Sequence, residues 1–519
     1  MSKSRPRFPL PLLLMLALAA LLAAAGLTRG LDWDDDDSQY IMQAMSILEQ
    51  RPQQFIEWNR FTMEQSSEPM GPIAYPWGLP LMLAPLYAVF GPNMLALKSI
   101  NVVCFVLFLL TLWLGVRRHN SSAVALACVT LCALNPPMLV ATDQILSDIP
   151  FLFVSTLCIV VIGIVVVERR QVVSPSCDHL LLGALAASAF LLRTNGILLL
   201  ITILVAQIVS ARLFGSAPRE HDRSTSPASR RTRGRWRKIV TGTLPYSSFA
   251  GILLAVGAFL PAGGASHWDE FRRVTVSGVV RQLHYYIGLP SDFFEAVPLD
   301  EVLFGATLPL AVVGAATHIR VSYHVVPYIL LTIFVYVLWP HREGLRFLFP
   351  LLPFYLWFVL ASVDPPTASS TRAGHQRWQP ALVLICVLGV LLWFGRASTI
   401  RVMDNLARNR ETSDGPFFPT SREMFAFIRA NTAPDSTIIF FKPRAMRLWT
   451  ARNSIRITRV EQLERGNYLC LYRRTDGNEK FQLPLSDVER AVALGQLELV
   501  YQNTDFTVYR LTRAAPTSS

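Results

Sequence analysis

Charged side chains are scarce in this chain: 16% of its 519 residues are Asp, Glu, Lys or Arg, while 52% are hydrophobic. Soluble domains carry about 25% charged residues, so an ordinary water-exposed globule is excluded. Cysteine supplies no framework either. Of the seven thiols, Cys104, Cys128, Cys132, Cys158 and Cys386 fall inside apolar runs, and Cys177 lies beside one. Cys470 alone remains in polar sequence, so no disulfide scaffold can form there, and Cys128 and Cys132 read as small-residue packing rather than a metal pair. An internal repeat is also missing to the eye, which disfavours a secondary transporter built from two related halves.

What the chain has instead is a succession of long apolar runs, at 8–28, 95–115, 122–140, 149–167, 179–193, 195–212, 239–260, 301–317, 323–339, 346–362 and 380–396. Each approaches the ~20 residues that cross a hydrocarbon core as a helix. The runs are continuous rather than alternating, and lipid cannot satisfy open backbone, so they predict helices and not barrel strands. The first run follows Lys3, Arg5 and Arg7; its apolar core is longer than a signal-peptide core, so it reads as an uncleaved span.

Basic residues orient the bundle. Lys3, Arg5, Arg7, Arg117, Arg118, Arg169 and Arg170 share one side with the stretch from Arg212 to Lys238, which holds nine basic residues against two acidic ones. By the positive-inside rule that side is cytoplasmic, the N-terminus lies there, and eleven spans put the C-terminal tail outside. The run Arg230-Arg231-Thr232-Arg233-Gly234-Arg235-Trp236-Arg237-Lys238 reads as a disordered cytoplasmic loop near anionic headgroups, not as a nucleic-acid site. The net charge of +12 mostly reports orientation.

The expected architecture is an all-α polytopic membrane domain over 1–396, with external loops at 29–94 and 261–300 and a cytoplasmic basic loop at 213–238. A small α/β extracytoplasmic domain over 397–519 follows. In that tail, Ser421–Asn431 predicts a helix and Asn431–Asp435 a turn. Thr437–Phe441, Tyr468–Tyr472 and Leu497–Tyr509 predict strands. His267, Trp268, Tyr285 and Tyr286 give the second external loop the aromatic content of an interfacial belt or a sugar-stacking surface.

Just beyond the first run stands Asp34-Asp35-Asp36-Asp37-Ser38-Gln39-Tyr40. Clustered carboxylates raise one another's pKa values, so this loop suits either a cation or proton transfer. Asp36-Asp37-Ser38-Gln39-Tyr40 is followed in order by Tyr75-Pro76-Trp77-Gly78-Leu79-Pro80, then Ser147-Asp148-Ile149-Pro150-Phe151. Arg342 and Arg346-Phe347-Leu348-Phe349-Pro350 complete the series. In that order these segments resemble the GT-C superfamily of membrane glycosyltransferases. The nearest branch is the bacterial one that includes lipid A aminoarabinose transferases and relatives of protein O-mannosyltransferases. The resemblance covers about the first 400 residues.

The resemblance implies a GT-C fold in the cytoplasmic (inner) membrane and transfer of a sugar from a polyprenyl-phosphate donor to a glycan, lipid or protein acceptor on the external face, with inversion. It implies Asp36 as general base and Asp37 as its neighbour. The four-acid run leaves the register open, and Asp35 is the rival. Asp148 and Tyr40 are candidates for orienting the acceptor or, with Asp35, holding a metal. Carboxylates suit Mg²⁺ or Mn²⁺, and no other cofactor is implied. Arg346, assisted by Arg342, His341 and Arg193, is the candidate grip on the lipid phosphate, because guanidinium binds phosphate through paired hydrogen bonds. Some relatives carry a Lys just before the Pro-rich segment, where this chain has Ala74-Tyr75. Two other classes stay open: a transporter or flippase of lipid-linked sugars, whose ionisable groups should sit near the midplane, and a non-catalytic scaffold or sensor.

Overall fold

The computed structural model describes residues 8–68, 70–214, 227–262, 272, 274–364, 378–474 and 477–512. His267 and Trp268 lie outside the described residues. The chain opens with α1 (Leu10–Gly26), α2 (Asp35–Leu48), α3 (Pro52–Gln65), α4 (Gly78–Phe90) and α5 (Met94–Val116). It continues through α6 (Ser122–Leu134), α7 (Pro136–Thr142), α8 (Asp148–Ile162), α9 (Pro175–Leu192), α10 (Ile197–Phe214) and α11 (Pro227–Phe259). The later helices of the bundle are α12 (Val276–Gly288), α13 (Asp300–Thr317), α14 (Val325–Leu338), α15 (Leu352–Ala361) and α16 (Trp378–Ala407).

Every predicted apolar run contains a helix, and the protein is membrane-integral. The count is coarser than eleven, however. Among the described residues seven helices are long and apolar enough to cross a membrane, or eight if α6 and α7 form one broken span, bent by 59°. The bend falls at Asn135-Pro136-Pro137, where Asn135 caps α7 through the Met138 N–H at 3.0 Å and proline removes the donors a continuing helix would need. α1, α14 and α15 have 17, 14 and 10 residues. At 1.5 Å per residue α15 rises only ~15 Å, because Pro350 and Pro353 break the run, and a 3-10 turn at Leu345–Leu348 precedes it. The basic stretch also departs from expectation, since α11 begins at Pro227 and carries Arg230 to Lys238 as helix; Arg and Lys are good helix formers.

Close packing relies on small residues where backbones meet. A Cβ on Gly183 of α9 would lie 2.1 Å from the Pro245 carbonyl oxygen of α11, and one on Gly314 of α13 would lie 1.8 Å from that of Phe358 in α15. Such contacts are the usual substitute for the hydrophobic effect inside lipid.

The connections alternate between two ends of the bundle. At one end Arg118 pairs with Glu168, Asn120 with His318, and the Ser121 N–H with Asp364. At the other, buried Lys98 donates to Asp143 at 2.8 Å, to Thr28 Oγ1 at 2.7 Å and to the Gly30 carbonyl at 2.7 Å. A lysine this deep persists only with all three donors used, and here it ties the exit of α1 to the start of α5 and the end of α7.

Above that second end sits a five-stranded sheet of β1 (Thr437–Ile439), β2 (Asn453–Ile455), β3 (Tyr468–Tyr472), β4 (Leu497–Gln502) and β5 (Phe506–Leu511), in the order β2-β1-β3-β5-β4. β1 runs parallel to β2 and β3, and the β3-β5-β4 part is antiparallel. Alternation along the strands splits the core. Ile438, Phe440, Cys470, Tyr472, Phe506 and Val508 face α17 (Pro419–Asn431) and α18 (Pro443–Thr450). Ile439, Ile455, Leu469, Leu471 and Leu497 face α19 (Leu485–Ala493).

Trp33, from the first loop, is buried in the first of these cores. Its ring lies 5.0 Å from that of Phe441, 5.7 Å from Phe440 and 6.1 Å from Phe506, and its Nε1 donates to Asp414 at 3.0 Å. An aromatic side chain lost from such a site costs about 3–5 kcal/mol. Trp33→Ala is therefore expected to lower the first unfolding temperature and to open the 408–418 connection to protease. An unchanged melting curve and digestion pattern would show that Trp33 is not what seats the domain.

Candidate active site

The acid run begins a helix. Asp34 caps α2, accepting the Asp36 N–H at 3.1 Å, and Asp35, Asp36 and Asp37 occupy the first turn. That position favours carboxylates, because the unpaired N–H groups and the helix dipole present positive charge there. The remaining repulsion is met residue by residue, and the four acids end in four environments.

Asp35 accepts the backbone N–H groups of Arg444 at 3.1 Å and Ala445 at 3.2 Å, at the N-terminus of α18. Burial pushes its carboxyl above the usual range and Arg444 opposes the push. Asp36 takes the Tyr75 hydroxyl at 2.6 Å and Arg444 Nη1 at 3.3 Å, both on Oδ1, and its side chain is 23% exposed. Asp37 is buried, and its Oδ1 has no hydrogen-bond partner. Burial pushes its carboxyl well above the carboxylate range, Asp34 adds to the push and Lys98 opposes it. Asp34 is pushed up to about 6, first by burial and then by the charge of Asp36, with Arg346 and Lys442 opposing.

Tyr40, one turn along α2, stacks on Tyr75 at 4.7 Å and shares a hydrogen bond of 3.2 Å with Ser147. Ser147 precedes Asp148, the first residue of α8, and Asp148 is ion-paired with Arg193. Arg193 stands at the turn between α9 and α10, with its guanidinium 4.5 Å over the Phe347 ring. Phe347 belongs to the same 3-10 turn as Arg346. Arg346 donates to Glu343 at 2.5 Å and lies within electrostatic reach of Asp148 and Asp34.

Asp34 to Asp37, Tyr40, Asp148, Arg193 and Arg346 are thus drawn together at one end of the bundle. Arg342 and His341 are exposed, Arg342 over the Tyr285 ring at 4.8 Å and His341 edge-on to Trp339 at 5.6 Å. The member of the acid run that acts on Arg346, after Asp148 and Glu343, is Asp34, which sequence reasoning left aside in favour of Asp36 and Asp37. Among the described residues no three His, Cys, Asp or Glu side chains converge as a metal site requires.

Three further residues escaped sequence reasoning. Lys98 left a signal, a lone lysine just inside an apolar run. Tyr75 was visible as a motif residue but not as a donor to Asp36. Arg444 left none, since 408 positions separate it from Asp36. Beside Asp34 a cavity of about 370 Å³ opens between the first loop and the C-terminal domain, lined by Asp32, Trp33, Asp34, Asp414, Lys442 and Asn478.

Two family models match separate parts of the chain: dolichyl-phosphate-mannose-protein mannosyltransferase over residues 72–218 and the Alg9-like mannosyltransferase family over residues 288–414. No curated protein matches the sequence significantly. Among solved structures, the fold is similar to that of ArnT from Cupriavidus metallidurans bound to undecaprenyl phosphate. The TM-score is 0.57 at 11% identity, covering 96% of this chain and 97% of that one. It is similar also to the oligosaccharyltransferase AglB from Archaeoglobus fulgidus in complex with an inhibitory peptide and a dolichol-phosphate, with a TM-score of 0.55 at 11% identity over 98% and 75% of the two chains. A third likeness is to the arabinofuranosyltransferase AftD from Mycobacteria, with a TM-score of 0.51 at 11% identity over 97% and 40%. Two glycosyltransferase family models thus match successive parts of the chain, and its fold is similar to those of these three membrane glycosyltransferases.

Proposed function

We propose that the protein transfers a sugar from a polyprenyl-phosphate donor to an acceptor on the external face of the cytoplasmic membrane, with Asp36 as general base and inversion at the anomeric carbon. The observation that carries this reading is that Arg346, at the start of a late bundle segment, lies in electrostatic reach of Asp34, the N-cap of the helix whose first turn holds Asp36. A phosphate-binding cation and a proton-accepting acid then share one site. The family names support the donor class, since one model describes a dolichyl-phosphate-mannose enzyme and two similar structures hold undecaprenyl phosphate and dolichol-phosphate.

In this reaction the acceptor oxygen or nitrogen attacks the anomeric carbon and its proton passes to Asp36. The bond from that carbon to the phosphate oxygen breaks, and the electron pair leaves on the phosphate. Asp36 suits the role because its two hydrogen bonds fall on Oδ1 and its side chain is partly open to solvent. Arg346 suits the phosphate better than Arg193 does. Arg193 is already spent on Asp148, which is 5% exposed, whereas Glu343, the partner of Arg346, is 29% exposed and easily rehydrated. A fixed guanidinium facing the growing phosphate charge is the electrostatic term on which such a departure depends.

With the purified full chain in lipid and a panel of labelled polyprenyl-phosphate sugars, Asp36→Asn is expected to lower kcat by roughly 10²- to 10⁴-fold. Arg346→Ala is expected to raise the donor KM and lower kcat/KM by about 100-fold or more. Transfer unaffected by Asp36→Asn would remove Asp36 from the role of base, and no transfer from any donor would return the protein to the transporter and scaffold readings.

The buried acids also carry a stability cost whose sign is fixed. An acid raised on folding destabilises the fold only where it must ionise, so for Asp34 the cost is absent below its unfolded value near 4 and complete above its folded value of about 6. Asn caps a helix as well as Asp does. Asp34→Asn is thus expected to raise Tm at about pH 8 and to leave it unchanged at about pH 4. A loss of stability at the higher pH would contradict this.

A further inference from the structure

We propose that Arg444, carried by the C-terminal domain, is a positioning residue of the transfer site, fixing the Asp36 carboxylate toward the acceptor and making that domain part of the active centre. The inference rests on the reading of Asp36 as base. It extends that reading to a residue outside the membrane domain.

Arg444 is the second residue of α18 and only 1% exposed. Its contacts converge on the first loop. Nη1 donates to Asp36 Oδ1 at 3.3 Å, Nη2 donates to the Pro72 carbonyl at 3.0 Å, and Nε lies 3.8 Å from Asp35 Oδ2. Its backbone N–H joins that of Ala445 on Asp35 Oδ1. The first loop makes room for it: Gly71 has φ +88°, and a Cβ there would stand 3.7 Å from Nη2 and 3.3 Å from the Tyr75 hydroxyl. Tyr75 completes the clamp, because its hydroxyl and the guanidinium both bond to Asp36 Oδ1.

Docking alone does not account for this design. A buried ion pair adds little net stability over apolar residues of the same volume, and the domain is already seated by Trp33 and by α3, whose Thr62 hydroxyl donates to the Ser454 carbonyl at 2.9 Å. What a planar, doubly bonded guanidinium adds is direction. With Oδ1 held by Arg444 and Tyr75, the carboxylate has one orientation and Oδ2 is left for the acceptor proton. A misplacement of about 1 Å at such a centre is worth on the order of 10²-fold in rate.

The test compares Arg444→Met, Arg444→Lys, Tyr75→Phe and Asp36→Asn in the full chain in lipid. It measures kcat with the labelled polyprenyl-phosphate sugar panel and, separately, affinity for undecaprenyl phosphate and dolichyl phosphate. Arg444→Met is expected to lower kcat by about 100-fold and to leave lipid-phosphate affinity within about threefold of wild type, since the phosphate belongs to Arg346. Arg444→Lys is expected to recover about a tenth of the lost rate or more, and Tyr75→Phe to lower kcat by about tenfold, each with unchanged affinity. Wild-type kcat in Arg444→Met, with Asp36→Asn inactive, would overturn the inference and leave the base in place. Equal loss of rate and lipid affinity in Arg444→Met without recovery in Arg444→Lys would reduce Arg444 to structural support. A fully active Asp36→Asn would remove the base and this inference with it.

Discussion

Arg444, itself almost wholly buried, meets the carboxylates of Asp35 and Asp36 and the carbonyl of Pro72. Four consecutive acids at a helix start are mutually repulsive, and a protein can keep them folded only by distributing the charge. The N-terminus of α2 takes one part, through the cap at Asp34. The N-terminus of α18 takes another, through the two N–H groups on Asp35. The guanidinium and the Tyr75 hydroxyl take Asp36, while Asp37 is buried near Lys98 with its carboxyl pushed toward the neutral form. One repeated residue type thus ends in four different environments, as acid–base sites require.

The same contact couples the two parts of the molecule. Trp33 lies one residue before the acids and is locked among the rings of Phe425, Phe440, Phe441, Tyr472 and Phe506. The short segment between α1 and α2 is therefore held at both ends, below by the Lys98–Asp143–Thr28 knot and above by the aromatic core. A loop anchored in this way gives its carboxylates little freedom, which favours a fixed reaction geometry over an adaptable one. On the membrane side, Asp148 and Arg193 neutralise each other. Arg346 keeps Glu343, a partner that solvent can replace, and lies within reach of Asp148 as well.

Much of this was legible in the sequence, because lipid imposes a simple rule on the backbone. Each apolar run became a helix, and the acid run, Asp148, Arg193 and Arg346 could be chosen as polar groups at the margins of such runs. Run length gave a poorer guide to crossings, since Pro136, Pro137, Pro350 and Pro353 divide apolar sequence into pieces too short to cross alone. In the C-terminal domain β3 and β5 announced themselves by β-branched and aromatic content. β2, with three residues, and α18, whose apolar face is made by tertiary packing, did not. Arg444 was beyond local reasoning altogether, because what makes it special is a partner from the first loop.

The central claim is that a lipid phosphate and a proton acceptor meet at the end of the bundle covered by the C-terminal sheet. A cryo-EM map of the full chain in a lipid nanodisc with undecaprenyl phosphate tests it most directly. The account predicts the phosphate against the Arg346 guanidinium, with Glu343 released and the first turn of α2 facing it. Phosphate bound at the opposite end, near Arg118 and His119, or held by Arg342 away from the acids, would contradict it.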